Sequence, residues 1–227
     1  MSYGIKLHVW GDFACFTRPE MKAERVSYDL ITPSAARGVL EAIYWKPQIR
    51  WVINRIHLLK PIQFTNIRRN EVGKKMPSPG SRIMKGEESA SLGILIEDER
   101  QQRASLILRD VAYVIDAHID LIDRSDPIGK HLDIFKRRVR RGQYFHHPYL
   151  GTREFPASFS LIESPDSAPI STLAESEKDR DFGFMLHDIE FDQDPKTKKV
   201  KNTTPRFFRA EMKNGIVNVP PFRDSIA

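Results

Sequence analysis

A single cysteine, Cys15, stands in a chain of 227 residues. An internal disulfide is therefore impossible, and so is a multi-cysteine metal site. Long apolar runs are missing too; none approaches the roughly 20 residues that a membrane span requires. The opening MSYGIKLHVWGD lacks the extended apolar region of a signal peptide and reads as a first strand. A cytoplasmic location is the expectation. The 12 glycines are scattered, so no P-loop cradles a phosphate. No repeat recurs at solenoid periods. Acid is the scarcer charge, with 30 Asp and Glu against 36 Lys and Arg and a net charge of +6. That balance leans toward phosphate-rich partners, bound through contacts that release counterions.

The positive charge is clustered. Lys136-Arg137-Arg138-Val139-Arg140-Arg141 places five cations in six residues. A second set is Arg68, Arg69, Lys74, Lys75, Arg82 and Lys85; a third is Lys196, Lys198, Lys199, Lys201, Arg206 and Arg209. Three separated clusters suit an extended polyanion better than a small anionic ligand. The first cluster belongs to a helix in which Ile128, Leu132, Phe135 and Val139 form one apolar stripe. Lys130, Arg137 and Arg141 point the opposite way, and His131 stands at the border. Asp126 is a candidate cap with Pro127 at the first helical position, unless Gly129 delays the start to Lys130.

The remaining elements follow from periodicity and punctuation. Residues 5–16 alternate as a strand. A helix runs from Pro33 to Tyr44, capped by Thr32 or Ser34 and stopped by Pro47. Tyr44 therefore sits at a helix end, where a phenol can either pack or reach outward. Residues 49–59 read as a strand and 60–90 as a long excursion able to contact a ligand. The best strand is 103–122. Val111, Tyr113, Ile115, Ala117, Ile119 and Leu121 share one face; Asp116, His118 and Asp120 share the other. That trio has metal-ligand chemistry, but polar-out alternation on an ordinary solvated strand face predicts it anyway, and no metal is assigned. Tyr144, Phe145, His146, His147 and Tyr149 form an aromatic–histidine cluster. Adjacent histidines on a strand cannot face one point, which argues against a two-histidine site there. Ser164 to Asp181 reads as a linker, Phe182 to Phe191 as a strand, and Asn214-Gly215 as a hairpin turn. The order of elements predicts an α+β chain. Residues 1–163 form a ferredoxin-like domain related to RNA-recognition modules, without their aromatic signature motifs; residues 164–227 form a small antiparallel β extension.

Several short stretches carry a family likeness. They are Trp10-Gly11-Asp12-Phe13-Ala14, Phe16-Thr17, Ser27-Tyr28, Glu41-Ala42-Ile43-Tyr44-Trp45-Lys46-Pro47, Lys60-Pro61-Ile62-Gln63, Gly129-Lys130-His131 and Tyr149-Leu150-Gly151-Thr152-Arg153-Glu154. In this order they resemble the CRISPR-associated RAMP proteins of subtype I-C, the d (Dvulg) branch of the Cas-five family. The resemblance implies an endoribonuclease that cleaves precursor CRISPR RNA at the repeat hairpin. It also implies a subunit that stays with the mature guide RNA in the subtype I-C interference complex. The family's catalytic tyrosine falls on Tyr44 and its Lys-His pair on Lys130 and His131.

Such cleavage needs no metal or cofactor: the 2′-hydroxyl attacks in line and leaves a 2′,3′-cyclic phosphate and a 5′-hydroxyl. On this reading the RNA is gripped by Lys136, Arg137, Arg138, Arg140 and Arg141, and by Arg68, Arg69, Lys74 and Lys75. DNA is a further, non-specific partner. The competing readings are a non-catalytic guide-RNA scaffold, a basic duplex-DNA binder, and a metal-dependent nuclease built on Asp116, His118 and Asp120.

Overall fold

The computed structural model describes residues 4–21, 23–76, 78–80, 84–86, 93–123, 125–164, 167–194, 197 and 199–227. Arg82, Lys196 and Lys198 of the basic clusters lie outside the described residues. The chain forms β1 (Gly4–Ala14), α1 (Pro33–Ile43), β2 (Ile49–Leu58), β3 (Phe64–Val72), a one-turn α2 (Ile96–Glu99), β4 (Arg100–Leu121) and α3 (Ile128–Arg140). It continues with β5 (Ser158–Leu161), β6 (Arg180–Gln193), β7 (Val200–Lys213) and β8 (Ile216–Asn218). These make a mixed α/β architecture with a single antiparallel sheet, ordered β5-β1-β4-β2-β8-β7-β6, with β3 paired to β4 off that path.

The helices form where the sequence pattern places them. Thr32 caps α1 by accepting from the Ala35 amide at 3.3 Å, and Pro33 opens the first turn. Ala36, Val39, Leu40 and Ile43 are buried. On α3 the buried positions are His131, Leu132, Phe135 and Val139. Phe135 meets Trp51 of β2 with ring centroids 4.7 Å apart. Both helices and the inward residues of β1, β2 and β4 share one core. Truncating a ring such as Phe135 there costs about 3–5 kcal/mol.

Asp126 does not cap α3. Pro127 occupies the cap position without a side-chain bond, the helix begins at Ile128 despite Gly129, and Asp126 instead holds Lys130. Part of the 60–90 excursion is a strand: residues 64–72 pair with the first part of β4, from Phe64↔Leu108 to Val72↔Arg100, forming a ladder, the β3–β4 arm.

Asp110 lies where the partner of β4 changes from β2 to β3, and its φ of 51° is left-handed. Lys60 donates to its carboxylate at 2.5 Å. At the other end of the chain, Asn214 (φ 52°) and Gly215 (φ 76°) make the expected hairpin turn. There β8 pairs with both β7 and β2, so the C-terminal strands continue the sheet begun by the N-terminal ones. Arg37 of α1 also forks onto Asp188 of β6.

Two glycines seat the turn spanning Tyr149–Pro156 against β1. Gly151 (φ 85°) lies so close to Cys15 that a Cβ would stand 2.0 Å from the Cys15 carbonyl oxygen. A Cβ on Gly11 would stand 2.7 Å from Leu150 Cδ1. The Cys15 amide donates to the Leu150 carbonyl at 3.0 Å. No described helix is long and apolar enough to cross a membrane.

Candidate active site

Tyr44 is the residue that ends α1. Its amide closes the last turn onto the Leu40 carbonyl at 2.9 Å, and its φ of −153° then leaves the helix. Its own carbonyl accepts from Trp51 Nε1 at 2.9 Å. These bonds turn the ring inward, leaving it 2% exposed. His131 enters the same space from the first turn of α3 and is also 2% exposed. Tyr44 Oη and His131 Nδ1 are 2.9 Å apart, a hydrogen bond between residues 87 positions apart in sequence. Helical geometry sends neighbouring side chains to different faces. Lys130 accordingly points outward, where its Nζ donates to Asp126 Oδ1 at 2.7 Å. The sequence pattern puts His131 at the edge of the helix's apolar face; the structure puts it wholly inside.

Burial pushes the Tyr44 phenol above its ordinary value. The charges of Arg138 and Lys130 partly offset this, and Asp126 adds to it. The phenol therefore keeps its proton at neutral pH, and its oxygen and Nδ1 share one hydrogen bond. Nε2 is out of solvent and has no hydrogen-bond partner among the described residues. An unmet buried polar group of this kind costs about 1–3 kcal/mol. The hydrogen bond from Lys130 holds the Asp126 carboxyl below its usual range.

Arg138 joins this cluster rather than the outer face of α3. Its guanidinium donates to the Ile43 carbonyl at 2.7 Å and lies 5.2 Å from the centre of the Tyr44 ring. The sequence offered a sign of this: Arg138 follows His131 by seven positions, two helical turns, on the same flank. Asp126 had a sign as well, four residues before Lys130.

The other basic residues divide into several environments. Arg137 and Arg141 are exposed, Lys136 is half-buried, and none has an ion pair among the described residues. Arg140 is held by Glu163 at 2.6 Å. On the arm, Arg68 and Lys75 are exposed, whereas Arg69 binds Glu154 and Ser105, and Lys74 binds Glu99. Two of the trio on β4 are otherwise engaged: His118 Nδ1 bonds Asn54 Oδ1 at 2.8 Å, and its Nε2 lies 3.3 Å from Asp120. No described cluster of three His, Cys, Asp or Glu side chains is arranged to hold a metal ion.

The family model described as CRISPR-associated protein (Cas_Cas5), of the Cas5d type, matches residues 4–220. The chain belongs to the Cas5d family. A curated relative from Mannheimia succiniciproducens, named CRISPR pre-crRNA endoribonuclease Cas5d, is 55% identical over 226 residues, covering 98% of this chain and 97% of the relative. A Thermus thermophilus protein of the same name is 41% identical over 228 residues, covering 95% of this chain and 91% of its own length. Among solved structures, one called CRISPR-associated protein superposes with a TM-score of 0.65 at 23% identity, over 99% of this chain and 95% of that one. A functionally uncharacterized protein from Streptococcus mutans also gives a TM-score of 0.65, at 21% identity and the same coverage. These two likenesses concern the fold.

Proposed function

We propose that this chain is a CRISPR-associated endoribonuclease that cleaves precursor CRISPR RNA at the repeat hairpin without a metal. It then remains with the mature guide RNA as a subunit of the subtype I-C interference complex, in the cytoplasm. The observation that carries this reading is the hydrogen bond between Tyr44 and His131, with Lys130 beside it. The names of the 55% and 41% identical relatives support the substrate. The sheet order β5-β1-β4-β2, crossed by α1 and α3, supports a ferredoxin-like domain over 1–163, with 164–227 as its β extension.

The chemistry assigns a task to each group. The 2′-hydroxyl upstream of the scissile phosphate attacks in line, the 5′-oxygen leaves, and the products are a 2′,3′-cyclic phosphate and a 5′-hydroxyl. Because the Tyr44 phenol occupies Nδ1, Nε2 is the ring nitrogen through which His131 exchanges a proton with RNA. Tyr44 fixes the ring. Lys130 leaves Asp126 to meet the charge that develops on the phosphorane. RNA docking uncovers Nε2.

The test is cleavage of cognate repeat RNA in excess chelator by the wild type, Tyr44→Phe, Lys130→Ala and His131→Ala. Cleavage by the wild type alone, and none of RNA carrying a 2′-deoxy group at the scissile position, is the expected result. Near-wild-type cutting by all three variants overturns the site, and cutting of the 2′-deoxy RNA overturns the mechanism. A second reading is a non-catalytic guide-RNA scaffold, favoured by the closure of Tyr44 and His131 at 2% exposure each. It predicts tight RNA binding with no cleavage by the wild type.

A further inference from the structure

Beside the Tyr44–His131 cluster, a groove of about 750 Å³ opens between the end of α1 and the segment 145–156. Its walls are unusual for a solvent-facing surface. Trp45 is 56% exposed, Phe145 75% and Tyr149 38%. His146 packs edge-on against Phe145 with ring centroids 4.4 Å apart. Exposed aromatics in such density mark a surface kept for a partner.

The rings are carried on fixed backbone. The amides of Phe145 and His146 both donate to the Ala42 carbonyl, at 2.9 and 3.1 Å. The amide of Gln143 returns to the Arg138 carbonyl at 2.9 Å. The Ala157 amide donates to the Pro148 carbonyl at 2.9 Å, and the turn between them is seated on Cys15 by Gly151. The aromatic faces are therefore preorganised, which lowers the cost of ordering a ligand between them.

The polar groups determine which ligand fits. Glu41 lines the groove and leans on Arg37 at 3.4 Å. A carboxylate there repels a phosphate, yet it accepts hydrogen bonds from the amino edge of a base. Arg153 also lines the groove, is exposed, and has no ion pair among the described residues. Arg141 stands just ahead of the aromatic segment. The arrangement accepts a flat, uncharged ring inside and a phosphate at the rim. Gly38 of α1 completes the lining, and a Cβ placed on it would meet nothing within 4 Å.

We infer that this groove is a binding site for one unstacked nucleobase of the RNA substrate, held against Trp45 and Phe145 with its phosphate at Arg153. The site specifies where the RNA is cut. Trp45 follows Tyr44 directly, and Ala42, which anchors Phe145, precedes it by two residues, so the groove is built on the same stretch of backbone that carries Tyr44. The inference rests on the RNA-cleavage reading and adds to it a recognition residue set outside the chemistry.

The experiment scans the cognate repeat RNA, blocked by 2′-deoxy substitution at the scissile position, with an abasic nucleotide at each single-stranded position in turn. Affinity is measured for the wild type, Trp45→Ala, Phe145→Ala and Gly38→Leu, the last chosen because it fills the groove from a helix position with open space. One abasic position should weaken wild-type binding roughly 5- to 100-fold, the range of one base–aromatic stack. Each variant should bind intact RNA that much more weakly and become indifferent to the same position. His131→Ala should retain the wild-type abasic profile while losing cleavage. If wild type cuts the RNA but the variants bind and cut as it does, the groove assignment is overturned and the cleavage reading stands. If the variants lose only their association with another protein subunit, the groove is a protein-docking site and the inference fails. If wild type does not cut at all, the cleavage reading fails, whatever the scan shows.

Discussion

Two parts of this molecule carry similar positive charge and use it differently. On the β3–β4 arm, Arg69 is drawn onto Glu154 and Ser105, and Lys74 onto Glu99. On α3, Arg137 and Arg141 stay open to solvent while Arg138 turns inward to Ile43 and Tyr44. Charge near an acid of the same chain has largely been used within the fold. On the helix, Lys130 and Arg140 are likewise paired, with Asp126 and Glu163, and it is Arg137 and Arg141, which have no ion pair among the described residues, that remain available to a polyanion. A count of cations does not distinguish the two; their acidic neighbours do.

The strongest challenge to this contrast comes from the inner side of α3. Loss of the His131 ring should reduce cleavage about 10²–10⁴-fold while leaving the salt dependence of RNA affinity unchanged. Single-turnover assays and salt titrations on His131→Ala test both halves. A changed salt slope would put His131 among the phosphate contacts and erase the distinction between the two faces.

Next in size is the outer side. Replacing Arg137 and Arg141 together by Ala should flatten the plot of log affinity against log salt by about 1.5–2 units. Arg69→Ala should leave that slope alone and instead lower stability by roughly 1–3 kcal/mol, because it strands partners on a half-buried ladder. Equal slopes for the two variants would break the comparison.

Arg138 provides a finer test through pH. Tyr44 is raised above the ordinary phenol value near 10 by burial, and the Arg138 charge works against that rise. Removing the charge with Arg138→Met should lift the Tyr44 ionisation further, since a cation favours the phenolate. The alkaline fall in cleavage rate should therefore move to higher pH in this variant. A pH–rate profile shows the direction of the shift. Smallest of all, Lys74→Ala should change stability by less than about 1 kcal/mol, because the Lys74 side chain is 71% exposed and its charge is screened by solvent. Thermal melts would detect a larger loss.

How much of this was legible in the sequence depended on burial and distance. The alternation of β4, the apolar stripe of α3 and the Asn214-Gly215 turn were readable because one face of each element is buried or its turn chemistry is local. Strand β3 was not, because FTNIRRNEV has no buried position to impose a period. The Arg69–Glu154 pair spans 85 positions and leaves no pattern. His131 read as a border residue because its ring is polar; only a phenol arriving from α1 makes its full burial tolerable. That meeting of Tyr44 with His131 entered the sequence reading through family likeness, not through periodicity.

The left-handed turn at Asp110 also has a mechanical meaning. A strand of 22 residues spans on the order of 70 Å, and such a length would ordinarily act as one bar. At Asp110 it changes its partner on one edge from β2 to β3, while β1 stays paired on the other edge as far as Leu108. Asp110, held by Lys60, therefore marks the point where one strand passes from a ladder with β2 to a ladder with β3.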